Sequence, residues 1–511
     1  MTVNEYKVIN PLKFAVRVIF ALIIIGIQLF IYYLIFFANR NLPYIDVFSL
    51  ILSIILVIHL YNSSDNISYK LTWTICILLF NIAGPIFYIC FGGGNNLPKQ
   101  KYKAVNGYLN AHIETNEVLK EVKEKDLLAY QTMNLLHQNT GFYPYHNQGE
   151  EFYPDGDMMF EAMLKAMYEA KRYIFLEYFI IASGEMFDIL FEVLKKKAFE
   201  GVEIKLLYDY VGCNVPRVLH KDDLKRLSEL PNFELATYNP ISLRLNLGIN
   251  YRDHRKILII DGTETFVGGI NIADEYIHRK ERFGFWRDNG MKITGEATFN
   301  YLLIFAQNWC LSTKKGLEVE KYKGDVSYDV KDGFVFAFGD GPSNRKHPAY
   351  DLYYSLIMNA KEEINISTPY FIIDRAFVKA LCDKAKSGVK VNILVPGIPD
   401  KKIIYWMAEQ NFDDIIAAGG KIFKLSGGFN HAKTLTVDGK YGVLGTFNID
   451  YRSMFLHFEC ANYMYNMETL KEINDDFYQT ISEQGLALEV HQTNPFKKLL
   501  GILLSILSPL V

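Results

Sequence analysis

The stretch Asn250-Tyr251-Arg252-Asp253-His254-Arg255-Lys256-Ile257-Leu258-Ile259-Ile260-Asp261-Gly262 decides how the rest of the chain is read. Four branched apolar residues followed by Asp-Gly read as a buried strand running into a tight hairpin turn. Residues i and i+2 of an extended segment share a face, so His254 and Lys256 point the same way. The pattern returns 177 residues later (431 − 254) as His431-Ala432-Lys433-Thr434-Leu435-Thr436-Val437-Asp438-Gly439. Each copy is followed at the same distance by small residues and an asparagine, Gly268-Gly269-Ile270-Asn271 and Gly445-Thr446-Phe447-Asn448.

The duplication extends outward. Tyr178-Phe179-Ile180-Ile181 recurs as Tyr370-Phe371-Ile372-Ile373, at an offset of 192 (370 − 178). The first copy therefore carries 15 extra residues (192 − 177), which fall within 213–250 and suit a loop over the active site. Helical periodicity over 157–172 leads into a strand-like run at 173–181, and 185–200 leads into 202–209. The second copy repeats this order with 350–361, 364–373, 376–387 and 389–396. Strands separated by helices predict parallel βαβ units, and self-similarity at this scale predicts two copies of one α/β fold.

At 511 residues the chain is too long for one ordinary domain. Half the residues are hydrophobic and 22% are charged, which excludes a disordered chain. A net charge of −3 offers no general attraction for nucleic acid, so no nucleic-acid partner is expected. Six cysteines without paired CxxC spacing exclude a disulfide scaffold and a zinc ribbon.

The apolar residues crowd the N-terminus. Residues 18–38 carry no charge and are long enough to span a bilayer; 47–61 is shorter, and 71–91 is interrupted by Asn81, Gly84 and Pro85. The first run is too long for a signal peptide, and further apolar runs follow it. Two or three transmembrane helices are expected. Lys7, Lys13 and Arg17 at one end and Lys99, Lys101 and Lys103 at the other both favour the cytoplasm, which leans the body to that side. The expected organisation is an all-α transmembrane region at 1–95, a linker at 96–130, α/β units at 131–325 and 326–490, and an apolar tail at 491–511. That tail suits either the membrane interface or a domain face.

The paired motifs suit phosphorus chemistry. A neutral imidazole can attack phosphorus and an imidazolium can protonate a leaving oxygen. Lys256, Lys433 and the amides of Asn271 and Asn448 can hold the phosphate oxygens. Two lysines supply positive charge, so no metal is required. Asp261 and Asp438 complete the two catalytic motifs, but each stands in an Asp-Gly turn, which favours a structural role over that of a general base.

The duplicated HxKxxxxD pattern with its downstream asparagine resembles the phospholipase D superfamily, and within it bacterial cardiolipin synthases. Gly268-Gly269-Ile270-Asn271-Ile272-Ala273-Asp274-Glu275-Tyr276, Trp286-Arg287-Asp288 and Asn448-Ile449-Asp450-Tyr451-Arg452-Ser453 carry the resemblance beside the two motifs. It implies tandem phospholipase D-like units, mixed sheets flanked by helices about a pseudo-two-fold, in a multi-pass protein of the bacterial plasma membrane. It also implies transfer of a phosphatidyl group from one phosphatidylglycerol to another through a phosphohistidine, without cofactor. On that pattern His254 is the nucleophile, His431 the acid and then base, and Thr446 a phosphate contact. Asp288 and Glu459, about thirty residues downstream of the motif histidines, orient the imidazoles. Two departures stand out: Gly269 replaces a hydroxyl residue, and His457 stands where asparagine is common. The alternatives are a phospholipase D or transphosphatidylase using water or another alcohol, and a catalytically inactive lipid-binding membrane scaffold.

Overall fold

Two hairpins organise the larger part of the molecule. Asp261 and Gly262 have φ of 53° and 73°, and Asp438 and Gly439 have 53° and 64°. Two successive left-handed residues make the turn type whose twist matches paired strands, and Asp-Gly adopts it at least cost. These turns join Lys256–Ile260 to Glu264–Gly268 and Thr434–Val437 to Tyr441–Gly445, both antiparallel.

The computed structural model describes residues 43–92 and 117–489, apart from 64–65, 81, 215–217, 241–250, 326–327, 343 and 345, and also residue 504. The chain divides into two units, 1–94 and 95–511. The second contains a seven-stranded and a nine-stranded sheet. The seven-stranded sheet runs, in spatial order, Glu150–Tyr153, Gly290–Thr294, Glu264–Gly268, Lys256–Ile260, Tyr173–Tyr178, Glu203–Asp209, Phe233–Tyr238. The larger sheet contains the same order in Glu459–Tyr465, Tyr441–Gly445, Thr434–Val437, Glu363–Ser367, Lys390–Val395, Lys421–Leu425. The directions repeat as well. Tyr173–Tyr178 is parallel to Glu203–Asp209 and antiparallel to Lys256–Ile260, and Glu363–Ser367 does the same with Lys390–Val395 and Thr434–Val437. The fold is therefore mixed α/β, twice over.

The central strands are apolar on both faces because helices cover both, as parallel sheets require. Ile257, Leu258 and Ile259 are fully buried, with Phe175 and Leu176 beside them. Helix Thr298–Thr313, with Phe305, Trp309 and Tyr301, packs into the larger core that joins both sheets. The boundary between the halves is not sequential. Strand Tyr145–His146 adds to the edge of the nine-stranded sheet, while Glu150–Tyr153 adds to the seven-stranded one. Asp126 accepts from Lys440 Nζ (2.8 Å) and Tyr441 Oη (2.9 Å), and Thr132 bonds Tyr463 (2.7 Å), so residues 126–146 dock on the second sheet. The extra length of the first copy falls after Phe233–Tyr238, and residues 241–250 of it lie outside the described part.

The first unit has helices Pro43–Tyr61, Ile67–Leu79 and Ala83–Phe91. The run expected to cross at 71–91 is split between two of them, of 13 and 9 residues, and 13 residues rise only about 20 Å. Among the described residues no helix is long and apolar enough to cross a membrane. The uncharged run at 18–38 and nearly all of the tail at 491–511 lie outside the described residues.

Candidate active site

Each motif histidine is carried by an extended segment zipped to the other half. His254 N–H donates to Phe458 O at 2.9 Å, and Phe458 N–H donates to Arg252 O at 2.8 Å. Correspondingly His431 N–H donates to Arg287 O at 2.7 Å, where Gly428–Asn430 runs parallel to Phe285–Arg287. Phe458 and Arg287 each precede a carboxylate, Glu459 and Asp288. The two backbone contacts are thus equivalent under the pseudo-two-fold.

The side chains follow the backbone. His254 Nδ1 lies 2.9 and 3.0 Å from the Glu459 carboxylate oxygens, and His431 Nδ1 lies 2.5 Å from Asp288 Oδ2. A carboxylate at Nδ1 fixes the proton there and leaves the Nε2 lone pair free. The pairing is crossed: each acid follows one motif histidine in sequence and orients the other. Arg255 braces the arrangement, donating to Glu459 O (3.2 Å) and Ile304 O (3.1 Å) and facing Glu177 at 3.5 Å. Arg287 does the same below Asp288, through Asn430 Oδ1 (3.0 Å), Thr480 Oγ1 (3.1 Å) and Asp476.

Lys256 and Lys433, each 1% exposed, donate to the carbonyls of His254 and His431. Burial pushes Lys256 down to about 8, against the Glu459 and Asp288 carboxylates, which raise it. Lys433 falls to about 7, chiefly by burial, with Asp288 and Glu459 raising it and Lys256 lowering it further. Each lysine feels both acids, so the two motifs lie close to one another. His254 is held well below its usual value by burial first, then by Lys256, His457, Lys433 and His431. Burial and Lys433 bring His431 to about 4, although Asp288 opposes this. Burial raises the Glu459 carboxyl, and the Lys256 ammonium pulls it back. With two ammonium groups beside the two acids, the charge balance favours carboxylates accepting from neutral imidazoles. A neutral ring with a free Nε2 is a nucleophile in waiting.

The remaining expected residues divide. Asn271 is buried here, but its Oδ1 accepts from Ile180 N–H (3.0 Å) and its Nδ2 donates to Tyr276 Oη (2.7 Å). Asn448 turns its amide N–H towards Asp450 and leaves a buried Oδ1 without a partner. Thr446 accepts from Cys460 N–H (3.0 Å) and donates to Cys460 O (3.2 Å), so its hydroxyl holds the backbone next to the acid. The corresponding Gly269 has no room for a hydroxyl residue, because a Cβ there would stand 2.0 Å from Asp288 Oδ1. Asp261 and Asp438 lie away from the pocket. Asp261 accepts from the N–H groups of Lys171, Arg172 and Tyr173 (2.7–2.8 Å). Asp438 accepts from those of Lys361, Glu362 and Glu363 (2.8–2.9 Å). These bonds suit the turn role expected from the Asp-Gly context: a strand of several residues, at about 3.3 Å each, separates both aspartates from the histidines.

His457 stands closer to the chemistry than its place in the sequence suggests. Its ring is 5.5 Å from that of His254, and its Nδ1 is 3.8 Å from Glu459 Oε1. His254, His457 and Glu459 have ligand atoms within 4.8 Å of one another, the one group among the described residues that could hold a metal ion. Lys256 shares that space and opposes a dication.

Comparison with known proteins extends these observations. Residues 353–481 match a family described as "Cardiolipin synthase, PLD-like domain", and 51–93 match "Phospholipase_D-nuclease N-terminal". An uncharacterized protein of Streptococcus mutans is 35% identical over 464 residues, 89% of this chain and 99% of that one. A cardiolipin synthase of Halalkalibacterium halodurans is 33% identical over 442 residues, 85% and 87% of the two chains. Another from a Geobacillus species is 33% identical over 458 residues, 87% and 89%. Among solved structures, the phosphatidylserine synthase of Haemophilus influenzae superposes with a TM-score of 0.57 at 15% identity, over 74% of this chain and 98% of that one. At that identity the likeness bears on the fold alone.

Proposed function

The chain belongs to the cardiolipin synthase family of the phospholipase D superfamily, and from that premise we propose how its paired histidines act. It is a phosphatidyltransferase with cardiolipin synthase function. The donor and the acceptor are both phosphatidylglycerol. The phosphodiester lies between the two imidazoles, its oxygens facing the Lys256 and Lys433 ammonium groups, which its negative charge keeps protonated.

One imidazole attacks phosphorus through Nε2. The negative charge of the bound phosphodiester lets the opposite ring take up a proton from solvent at Nε2; a P–N bond forms, the bond from phosphorus to the headgroup glycerol oxygen breaks, and that imidazolium gives its proton to the departing glycerol. That second ring then takes the proton from a hydroxyl of the next phosphatidylglycerol. The resulting oxygen attacks phosphorus, the P–N bond breaks, and cardiolipin forms. Two phosphatidylglycerols become cardiolipin and glycerol, and the diester energy is conserved, so no nucleotide is consumed. The carboxylates at Nδ1 of each ring stabilise whichever imidazolium forms. The apolar run at 18–38 supports attachment to the membrane that holds these lipids, with the α/β body on its cytoplasmic face.

The crossed contact of Glu459 with His254 and of Asp288 with His431 carries this reading, since it gives one pocket two oriented rings. Full-length protein supplied with vesicles of phosphatidylglycerol alone tests it. Cardiolipin and glycerol are expected in equal amounts. Phosphatidic acid without cardiolipin would make water the acceptor and the enzyme a hydrolase.

A further inference from the structure

The reacting groups obey the pseudo-two-fold, but their surroundings do not. The offset of 177 that relates His254 to His431 relates Arg252 to Phe429 and Glu275 to Arg452. The offset of 171 between the acids (459 − 288) relates Trp286 to His457. Around His431 these places are filled without free positive charge. The rings of Phe429 and Trp286 lie 5.8 and 5.3 Å from the imidazole, and Glu275 is neutralised by Arg282 at 2.8 Å. Around His254 the same places hold Arg252, Arg452 and His457. The His457 ring, at 5.5 Å, stands from His254 as Trp286 stands from His431.

Backbone contacts gather these three residues. His457 N–H donates to Arg452 O and Phe458 N–H to Arg252 O, both at 2.8 Å. Their hydrogen-bonding capacity is only partly met. His457 is 8% exposed, and neither ring nitrogen has a hydrogen-bond partner, Glu459 Oε1 standing 3.8 Å from Nδ1. Arg252 Nε is buried without one, while its other nitrogens reach Asn239 O at 3.2 Å and Asp209 Oδ1 at 3.5 Å. The Arg452 guanidinium makes no hydrogen bond or ion pair within bonding distance among the described residues; it is partly buried, with the Asp450 carboxylate stabilising its charge and Arg252 opposing it. Buried donors left unpaired are costly, and several converging on one place call for a ligand with several acceptor oxygens.

We propose that Arg252, Arg452 and His457 form a second phosphate subsite, which holds the headgroup phosphodiester of the lipid that accepts the phosphatidyl group. The proposal rests on the reading of this chain as a transphosphatidylase. The phosphorus under attack occupies the pocket between the two lysines. The acceptor's own phosphate is joined to its attacking hydroxyl by one glycerol, so it must lie beside that pocket rather than in it. A planar guanidinium and an imidazole N–H match phosphate oxygens in geometry and charge. Water and free glycerol have no phosphate to place there, so the subsite favours a lipid acceptor over both.

The test supplies full-length protein with phosphatidylglycerol vesicles and labelled glycerol. Two products report on two acceptors: labelled phosphatidylglycerol on neutral glycerol, and cardiolipin on the lipid. Arg452→Gln is expected to lower the ratio of cardiolipin to exchanged glycerol about tenfold, the loss of one charge-assisted hydrogen bond, with partial recovery in Arg452→Lys. His457→Asn is expected to lower the same ratio several-fold and serves if Arg452→Gln does not fold. A ratio unchanged in both variants overturns the subsite. Equal loss of both products would place Arg452 at the reacting phosphate and also overturn it. Wild-type protein that yields neither product removes the transphosphatidylase reading itself.

Discussion

Glu459 holds Nδ1 of His254, 205 residues before it in the chain, at 2.9 Å, while Asp288 holds Nδ1 of His431, 143 residues after it, at 2.5 Å. Neither half can orient its own histidine. The contacts tie the duplicated units together, and on the proposed mechanism the requirement for both units follows from them rather than from the motifs.

Glu459→Gln should therefore damage His254 and leave His431 oriented. An amide at that place can present N–H to Nδ1 and favour the wrong tautomer, so kcat is expected to fall roughly 10³-fold with KM little changed. Histidine ¹⁵N spectra check the crossing: the His254 signals should move in Glu459→Gln and stay in Asp288→Asn. The opposite pattern would mean that each acid serves its own half.

The two turn aspartates should behave differently. Asp261→Ala and Asp438→Ala each remove a carboxylate that accepts three backbone N–H groups. Each is expected to cost about 2 kcal/mol of stability and to lower the Tm by a few degrees. Turnover per folded molecule should stay within about threefold, since one lost hydrogen-bond set distant from the reaction leaves the transition state alone. A hundredfold loss in correctly folded protein would return these residues to the chemistry.

Much of this was legible in the sequence. The repeated His-x-Lys spacing, the Asp-Gly turns and the apolar runs after Lys256 and Lys433 report the hairpins directly, because turn chemistry and strand burial are local. The crossing of the acids was not legible: Asp288 and Glu459 are each about thirty residues beyond one histidine, and chain spacing cannot say which half they face. The partner of Thr446 was not legible either. A hydroxyl can serve a ligand or a neighbouring strand, and only the pairing of residues 441–445 with 459–465 brings it to the Cys460 backbone. Arg452 and Glu275 occupy equivalent places with opposite charge at the motif offset of 177, but what surrounds each is visible only in the fold. The interruption at residues 81–85 was visible as a weak point in an apolar run, and the helices do divide there.

Gly269 tests the packing of Asp288. A Cβ at that place would stand 2.0 Å from its Oδ1, so Gly269→Thr should displace the acid from His431 and reduce turnover at least about 100-fold, as loss of an orienting partner does. Thr446→Val, which removes only the hydroxyl bonds to the Cys460 backbone beside Glu459, should cost about tenfold. Steady-state rates on phosphatidylglycerol decide, and a fully active Gly269→Thr enzyme would contradict the geometry.

The lysines set a basic limb. Burial places Lys433 at about 7 and Lys256 at about 8, so each loses its positive charge as pH rises through those values and keeps it below them. In the free enzyme kcat/KM should accordingly fall above about pH 7, while kcat holds to higher pH because bound phosphodiester keeps the ammonium groups protonated. Lys433→Arg, charged throughout, should move the limb upward. A kcat/KM profile flat to pH 9 would show that neither lysine carries the phosphate.

The most direct test of the account is to quench the working enzyme under alkaline denaturing conditions, where a P–N bond survives, and to map the labelled phosphatidyl group by mass spectrometry. The account predicts an adduct on a single peptide, the one containing His254 or the one containing His431, formed during turnover and chased into cardiolipin by further phosphatidylglycerol. It also predicts that no cardiolipin forms when either histidine is replaced by alanine. An enzyme that makes cardiolipin at its full rate with no such adduct, or that still does so in the His254→Ala, His431→Ala double variant, would contradict it.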